Sequence, residues 1–93
     1  MPLSVFGSGD RALVELDGEK VALFRTGGEV HAFANACPHE GNPLVDGEIG
    51  GETLTCVYHL WRFDLKTGAC LGGEAAATRY GTALEGDHVI VVL

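Results

Sequence analysis

The sequence predicts a small all-β domain, an antiparallel sandwich-like or barrel-like base into which a subdomain of two loops is inserted. Three observations lead to this prediction. Apolar residues occur in short runs of strand type, several of the 14 glycines form turn signals between those runs, and no segment keeps a sustained helical period. At 93 residues, the chain has the size of one domain with one modest core.

Seven strand-like runs follow one another along the chain, most of them next to a two-residue turn signal that contains glycine. The predicted strands are residues 12–16, 21–25, 30–35, 52–55, 62–65, 83–85 and 88–93. The turn signals are Asp17-Gly18, Gly27-Gly28, Gly50-Gly51, Thr67-Gly68 and Gly86-Asp87. The first three runs describe a three-stranded meander, so an antiparallel arrangement is the economical architecture.

Residues 36–64 interrupt this β pattern. The stretch holds two of the three prolines and two cysteine–histidine pairs close to turn residues. A metal or cluster that pins two loops would keep such a glycine-rich excursion ordered in so small a protein. No linker, repeat or low-complexity tract divides the chain, so we expect one domain over residues 1–93, with a cluster-binding subdomain at about 36–64.

Charge and composition limit the functional classes. Thirteen acidic residues against six basic ones give a net charge of −7, so nucleic acid or an anionic membrane surface would repel the chain. A basic protein partner would be attracted, unless the acidity serves solubility alone. No apolar run approaches the roughly 20 residues that span a bilayer, and the N-terminus lacks a secretion signal. We therefore expect a cytoplasmic protein, in which three cysteines suit metal ligation or burial better than disulfides.

The two cysteine–histidine pairs are the chemically informative residues. One residue separates Cys37 from His39, two separate Cys56 from His59, and sixteen lie between the pairs. Two thiolates and two imidazoles can hold a [2Fe–2S] cluster, with the cysteines on one iron and the histidines on the other. The same donors also satisfy a mononuclear zinc or iron site, although zinc sites more often repeat a two-to-four-residue spacing in both halves.

The residues around both pairs form a further pattern. Its landmarks are Cys37-Pro38-His39, Glu40-Gly41, Leu44, Asp46-Gly47, the second pair, Trp61, Phe63-Asp64, Thr67-Gly68, Tyr80 and Glu85-Gly86-Asp87. With these landmarks the sequence resembles the Rieske-type [2Fe–2S] ferredoxins over residues 16–93. It is most similar to the ferredoxin components of bacterial toluene or aromatic monooxygenases and of ring-hydroxylating dioxygenases. Two departures are Val57, where many members have proline, and the lack of a proline near residues 72–74.

The resemblance implies a Rieske fold with one iron–sulfur cluster per chain, bound by Cys37, His39, Cys56 and His59. Rieske proteins of cytochrome bc complexes place a serine and a tyrosine after the second pair, and their hydroxyls stabilise the reduced cluster. Here the matching residues are Trp61 and Phe63, which carry no hydroxyl. We therefore expect a potential toward the lower end of the Rieske range of about −150 to +300 mV.

Such a centre suits a one-electron carrier between an NAD(P)H-dependent flavoprotein reductase and a terminal oxygenase. We expect no catalysis by the chain itself, because no nucleophile–base set, nucleotide loop or substrate pocket is visible in the sequence. Both partners are expected to dock on a monomer near His39, Glu40, His59 and Trp61. The alternatives are a module like the small subunits of nitrite reductase, or a zinc-binding structural domain.

Four further residues carry expectations of their own. Cys70 is not needed as a ligand and is expected to be buried. His31 and His88 are expected to be ordinary surface histidines. Trp61 is as well suited to pack internally as to be exposed for docking.

Overall fold

The computed structural model describes residues 1–38, 41–57, 60–71 and 76–93 and confirms the all-β, antiparallel fold. Its strands are β1 (Arg11–Leu16), β2 (Glu19–Thr26), β3 (Glu29–Ala34), β4 (Glu48–Gly50), β5 (Thr53–Thr55), β6 (Arg62–Asp64), β7 (Arg79–Glu85) and β8 (His88–Val92). Two short 3₁₀ helices span Leu3–Phe6 and Leu44–Asp46. Within the described ranges, no helix is long and apolar enough to cross a membrane.

The strands form two sheets. A basal sheet has the order β1-β2-β3-β7-β8, and a smaller sheet has the order β4-β5-β6. After β3 the chain leaves the basal sheet, builds the smaller sheet, and returns as β7, where Ala32 pairs with Tyr80 and Phe33 with Arg79. The smaller sheet is therefore an insertion between two neighbouring strands of the base.

The first two hairpins are tight turns that their sequences dictate. Asp17 and Gly18 have φ values of 50° and 81°, and Gly27 and Gly28 have 54° and 83°. Two consecutive residues at positive φ make the turn whose twist matches that of the flanking strands, and Asp-Gly and Gly-Gly supply this conformation at low cost. These turns fix the β1–β2 and β2–β3 registers.

The core lies on both faces of β2, whose residues 21–24 are all fully buried. Because successive side chains of a strand point to opposite faces, these residues contribute to two apolar clusters. One cluster lies on the outer face of the base and includes Val21, Leu23 and Phe6. The other fills the space between the two sheets. Its buried residues are Ala22, Phe24, Phe33, Cys37, Leu44, Leu54, Cys56, Phe63, Leu65 and Ala77. We call this second group the intersheet core.

His31 is buried, so the expectation of a surface histidine is wrong, whereas His88 is exposed as predicted. Only 3% of His31 is accessible, and its Nδ1 lies 3.2 Å from a terminal guanidinium nitrogen of Arg79. Burial, and next the positive charge of Arg79, lower the pKa of His31 below its ordinary value of 6.5. A neutral ring can accept the hydrogen bond that Arg79 donates, whereas a protonated ring cannot.

This environment predicts that the folded protein loses stability as the pH falls through 6.5. The unfolded chain takes up a proton on His31 at that value, and the folded chain does so only at lower pH. The charge of Lys66 also lowers the pKa of His31, whereas the charges of Glu29 and Glu52 raise it. We expect urea unfolding between about pH 5.5 and 8 to show a flatter pH dependence for His31→Gln than for wild type. Equal slopes in the two proteins would contradict this assignment.

Candidate metal centre

Two of the four predicted ligands, Cys37 and Cys56, are brought together in the intersheet core. They are 1% and 0% exposed, respectively. Cys37 follows β3 of the base, and Cys56 follows β5 of the smaller sheet directly. No disulfide joins the chain's three cysteines, all of which the structure describes. Two buried cysteines from two separate elements therefore lie in the same core between the sheets.

The loop after Cys37 closes on the cysteine itself. The Cys37 N–H donates to the Asn42 carbonyl at 2.7 Å, and the Gly41 N–H donates to the Cys37 carbonyl, also at 2.7 Å. Gly41 has φ 76°, a conformation that glycine adopts without a steric cost. Both backbone groups of the cysteine are thus held, which fixes the direction in which the loop starts.

The loop after Cys56 repeats this pattern at the same offsets. The Cys56 N–H donates to the Trp61 carbonyl at 2.7 Å, and the Leu60 N–H donates to the Cys56 carbonyl at 2.7 Å. Leu60 stands where the first loop has Gly41 and also has positive φ, 59°. This conformation is uncommon for a leucine, so the backbone of the second loop is held by its surroundings. The two loops are local structural repeats with a cysteine at the head of each.

Residues 44–47, which lie between the two loops, pack against the chain just before the cysteine of each loop. Leu44 is fully buried in the intersheet core, and the Val45 N–H donates to Asn35 Oδ1 at 2.8 Å. Gly47 lies so close to β5 that an added Cβ would be 2.7 Å from the Thr55 carbonyl oxygen. The segment therefore touches the chain just before Cys37 and just before Cys56.

The other two predicted ligands, His39 and His59, lie outside the described residues, as do Glu40 and Tyr58. Among the described residues, no group of three or more metal-ligating side chains comes together. The donor set nevertheless fits a two-thiolate, two-imidazole centre. The thiols are buried in one core, and each loop carries its histidine two or three residues beyond its cysteine.

Other residues near the loops differ in part from expectation. Trp61 is half-buried and packs against the intersheet core, which favours its internal role. Cys70 also packs there but is only half-buried, so the expected burial is partly correct. The sequence did not single out Leu60, an apolar residue that is 73% exposed in the structure. Only its position opposite Gly41 in the loop repeat could have drawn attention to it.

Comparison with known proteins identifies the class to which this fold and thiol pair belong. The model of the Rieske [2Fe-2S] domain matches residues 2–89. The chain belongs to this family, and its cofactor is one [2Fe–2S] cluster. The family resemblance inferred from the sequence is therefore confirmed.

The individual relatives include ferredoxin components of dioxygenase systems and part of a monooxygenase. The chain is 32% identical over 87 residues to the ferredoxin component of a naphthalene 1,2-dioxygenase system from Pseudomonas aeruginosa, covering 91% of this chain and 84% of the relative. It is 48% identical over 48 residues to a 4beta-methylsterol monooxygenase from Methylococcus capsulatus, covering 50% of this chain but 13% of that protein. The ferredoxin of carbazole 1,9a-dioxygenase from Nocardioides aromaticivorans has a similar structure, with a TM-score of 0.85, 28% identity, and coverage of 99% and 92% of the two chains.

Proposed function

We propose that this chain is the one-electron carrier of a multicomponent oxygenase system, with its cluster bound by Cys37, His39, Cys56 and His59. The observation that carries the proposal is the pair of buried cysteines, each at the head of a loop with the same backbone hydrogen bonds. The bound cluster accepts and releases one electron at a time. Residues 36–64 are then the cluster-binding subdomain.

The buried side chains around the two cysteines would give one side of this centre an apolar environment. The cysteines lie in the intersheet core, among fully buried side chains such as Leu44 and Phe63. His39 and His59 follow the cysteines in the sequence and would hold the second iron. Phe63 carries no hydroxyl that could stabilise the reduced cluster, which supports a low potential.

Partners would dock on exposed apolar residues of the two loops. Val57 is 41% exposed, Leu60 is 73% exposed, and Pro38 is exposed as well. We call these three residues the loop tip. The predicted docking residues His39, Glu40 and His59 lie outside the described ranges, while Trp61 packs inward. We therefore propose that the loop tip supplies the apolar part of one contact used in turn by reductase and oxygenase.

A carrier that visits two partners needs weak, rapidly exchanged complexes, which favours a small contact steered by charge. With a net charge of −7, the chain would be drawn toward basic partner surfaces, and salt would screen that attraction over roughly 10 Å at 0.1 M. The proposed setting is the cytoplasm, and the chain needs no substrate site of its own.

Electron-transfer rates will test the docking surface. Leu60→Asn removes the apolar side chain and substitutes a residue that tolerates positive φ. Leu13→Thr is the control, because Leu13 is 50% exposed on β1. We expect the second-order rates of reduction by the reductase and oxidation by the oxygenase to fall about tenfold for Leu60→Asn only, equivalent to roughly 1.4 kcal/mol. All rates should also fall as ionic strength rises. Wild-type rates for Leu60→Asn, with no response to salt, would place docking elsewhere.

The alternative modules differ from this proposal in their redox chemistry. A zinc domain would neither bleach nor become paramagnetic with dithionite, because zinc has no redox chemistry. A ligand-free module like the nitrite reductase small subunits would purify without iron or sulfide, and this chain retains both cysteine–histidine pairs. A reduced sample that bleaches and gives a paramagnetic signal supports the carrier.

A further inference from the structure

Arg11 joins the edge of the basal sheet to the segment between the two ligand loops. Its Nη1 donates to the Val45 carbonyl at 2.9 Å and to the Gly47 carbonyl. These acceptors lie 34 and 36 residues further along the chain. Hydrogen bonds from a charged donor are stronger than neutral ones, so two such bonds from one guanidinium form a firm attachment.

The guanidinium is itself held in place. Its central carbon lies 5.7 Å from the centre of the Phe24 ring, within the range of a cation–π contact. Its Nε donates to Asp10 at 3.0 Å. Phe24 is fully buried in the intersheet core, so Arg11 is tied to the same core that holds the two cysteines.

The attached segment contacts the chain just before each of the two ligand loops. Val45 bonds through its N–H to Asn35, two residues before Cys37. Gly47 packs against the Thr55 carbonyl oxygen, one residue before Cys56. A shift of this segment would therefore change the placement of one loop relative to the other.

We propose that Arg11 is a positioning residue for the cluster, because it fixes the segment that packs against the chain just before both cysteines. The inference rests on the proposed ligation by Cys37 and Cys56. When Arg11 is lost, the two loops open more often relative to each other, and the cluster is released faster. A lysine at this position keeps the charge but loses the planar group that lies over Phe24, so it restores the function in part.

Arg25 provides a matched control on the neighbouring strand. Its guanidinium lies 4.9 Å from the centre of the Phe6 ring, and its Nη2 donates to the Gly9 carbonyl at 3.1 Å. These contacts are with the N-terminal segment, and Phe6 belongs to the core cluster on the other face of the base. Arg25→Met therefore removes the same charge and the same kinds of contact away from the ligand loops.

The experiment compares holo wild type, Arg11→Met, Arg11→Lys and Arg25→Met. The loss of visible absorbance is followed in excess iron chelator, and amide hydrogen exchange is measured on the same proteins. We expect Arg11→Met to lose its cluster about tenfold faster or more, on the order of the loss of one charge-assisted hydrogen bond, with Arg11→Lys intermediate and Arg25→Met within about twofold of wild type. In Arg11→Met, amide hydrogen exchange should be faster than in wild type in residues 44–47 and 56–61. The amides of β2 and β3 should remain protected.

Equal rates of cluster loss for Arg11→Met and Arg25→Met would overturn the proposal, as would a general loss of protection across the basal sheet. If Arg11→Met does not fold, Arg11→Lys alone decides, and a wild-type rate for that variant counts against a role for the planar guanidinium. Cys56→Ser, prepared in parallel, tests the ligand assignment. A cluster retained in Cys56→Ser would refute that assignment, whereas wild-type behaviour of Arg11→Met beside a cluster-free Cys56→Ser would refute only the role of Arg11.

Discussion

Replacement of Cys56 by serine will leave the purified protein without its [2Fe–2S] cluster. The thiol is 0% exposed and lies in the intersheet core beside the start of the second loop. A serine hydroxyl is a poor substitute for a thiolate, and a centre with three ligands leaves one iron undercoordinated. The measurement is the visible spectrum together with iron and sulfide per chain. A wild-type spectrum with stoichiometric iron and sulfide would show that Cys56 is not a ligand.

Cys70→Ser is the control for this substitution, because it makes the same chemical change in the same apolar neighbourhood. Cys70 packs against the intersheet core but is half-buried and stands outside both ligand loops. We expect its spectrum and iron content to match wild type. Loss of the cluster from this variant would mean that packing near the core, and not ligation, determines cluster retention.

The parts of the fold that short-range chemistry dictates could be predicted from the sequence. The Asp17-Gly18 turn is one example, because both residues adopt the positive φ that a tight hairpin needs. The [2Fe–2S] cofactor could also be predicted, because the spacing of the two cysteine–histidine pairs points to a metal or cluster. That these four residues bind it stays a prediction. All seven predicted strands correspond to strands of the structure, although β7 begins at Arg79, four residues before the predicted start.

The features missed depend on contacts that local sequence propensity does not indicate. The burial of His31 results from the return of β7, which places Arg79 beside it 48 residues later. β4 is only three residues long, and one of them is a glycine, so local propensity gives no signal for it. The left-handed backbone of Leu60 is equally invisible, because leucine rarely adopts positive φ and only the loop repeat imposes it.

Gly47→Ala will lower the free energy of unfolding, although it adds only one methyl group. The φ of Gly47 is −69°, an ordinary value for any residue, so the backbone alone would favour alanine by about 0.4–1 kcal/mol. The added Cβ would instead meet the Thr55 carbonyl oxygen at 2.7 Å and Leu54 Cδ1 at 2.8 Å. Backbone cannot move aside as a flexible side chain can, so β5 or the 44–47 segment must shift.

Overpacking of this kind costs typically 1–3 kcal/mol, and we expect about 3 kcal/mol here, because Cys56 follows the displaced strand directly. In a domain of this size, that loss lowers the melting temperature by roughly 12 °C or more, and the cluster should be released with it. Gly50→Ala is the matched control, since nothing lies within 4 Å of a Cβ added there. Thermal unfolding and cluster content of both variants provide the test. Suppose that Gly47→Ala has the same melting temperature as Gly50→Ala and keeps its cluster. The close contact between the 44–47 segment and β5 would then not be what holds the two ligand loops together.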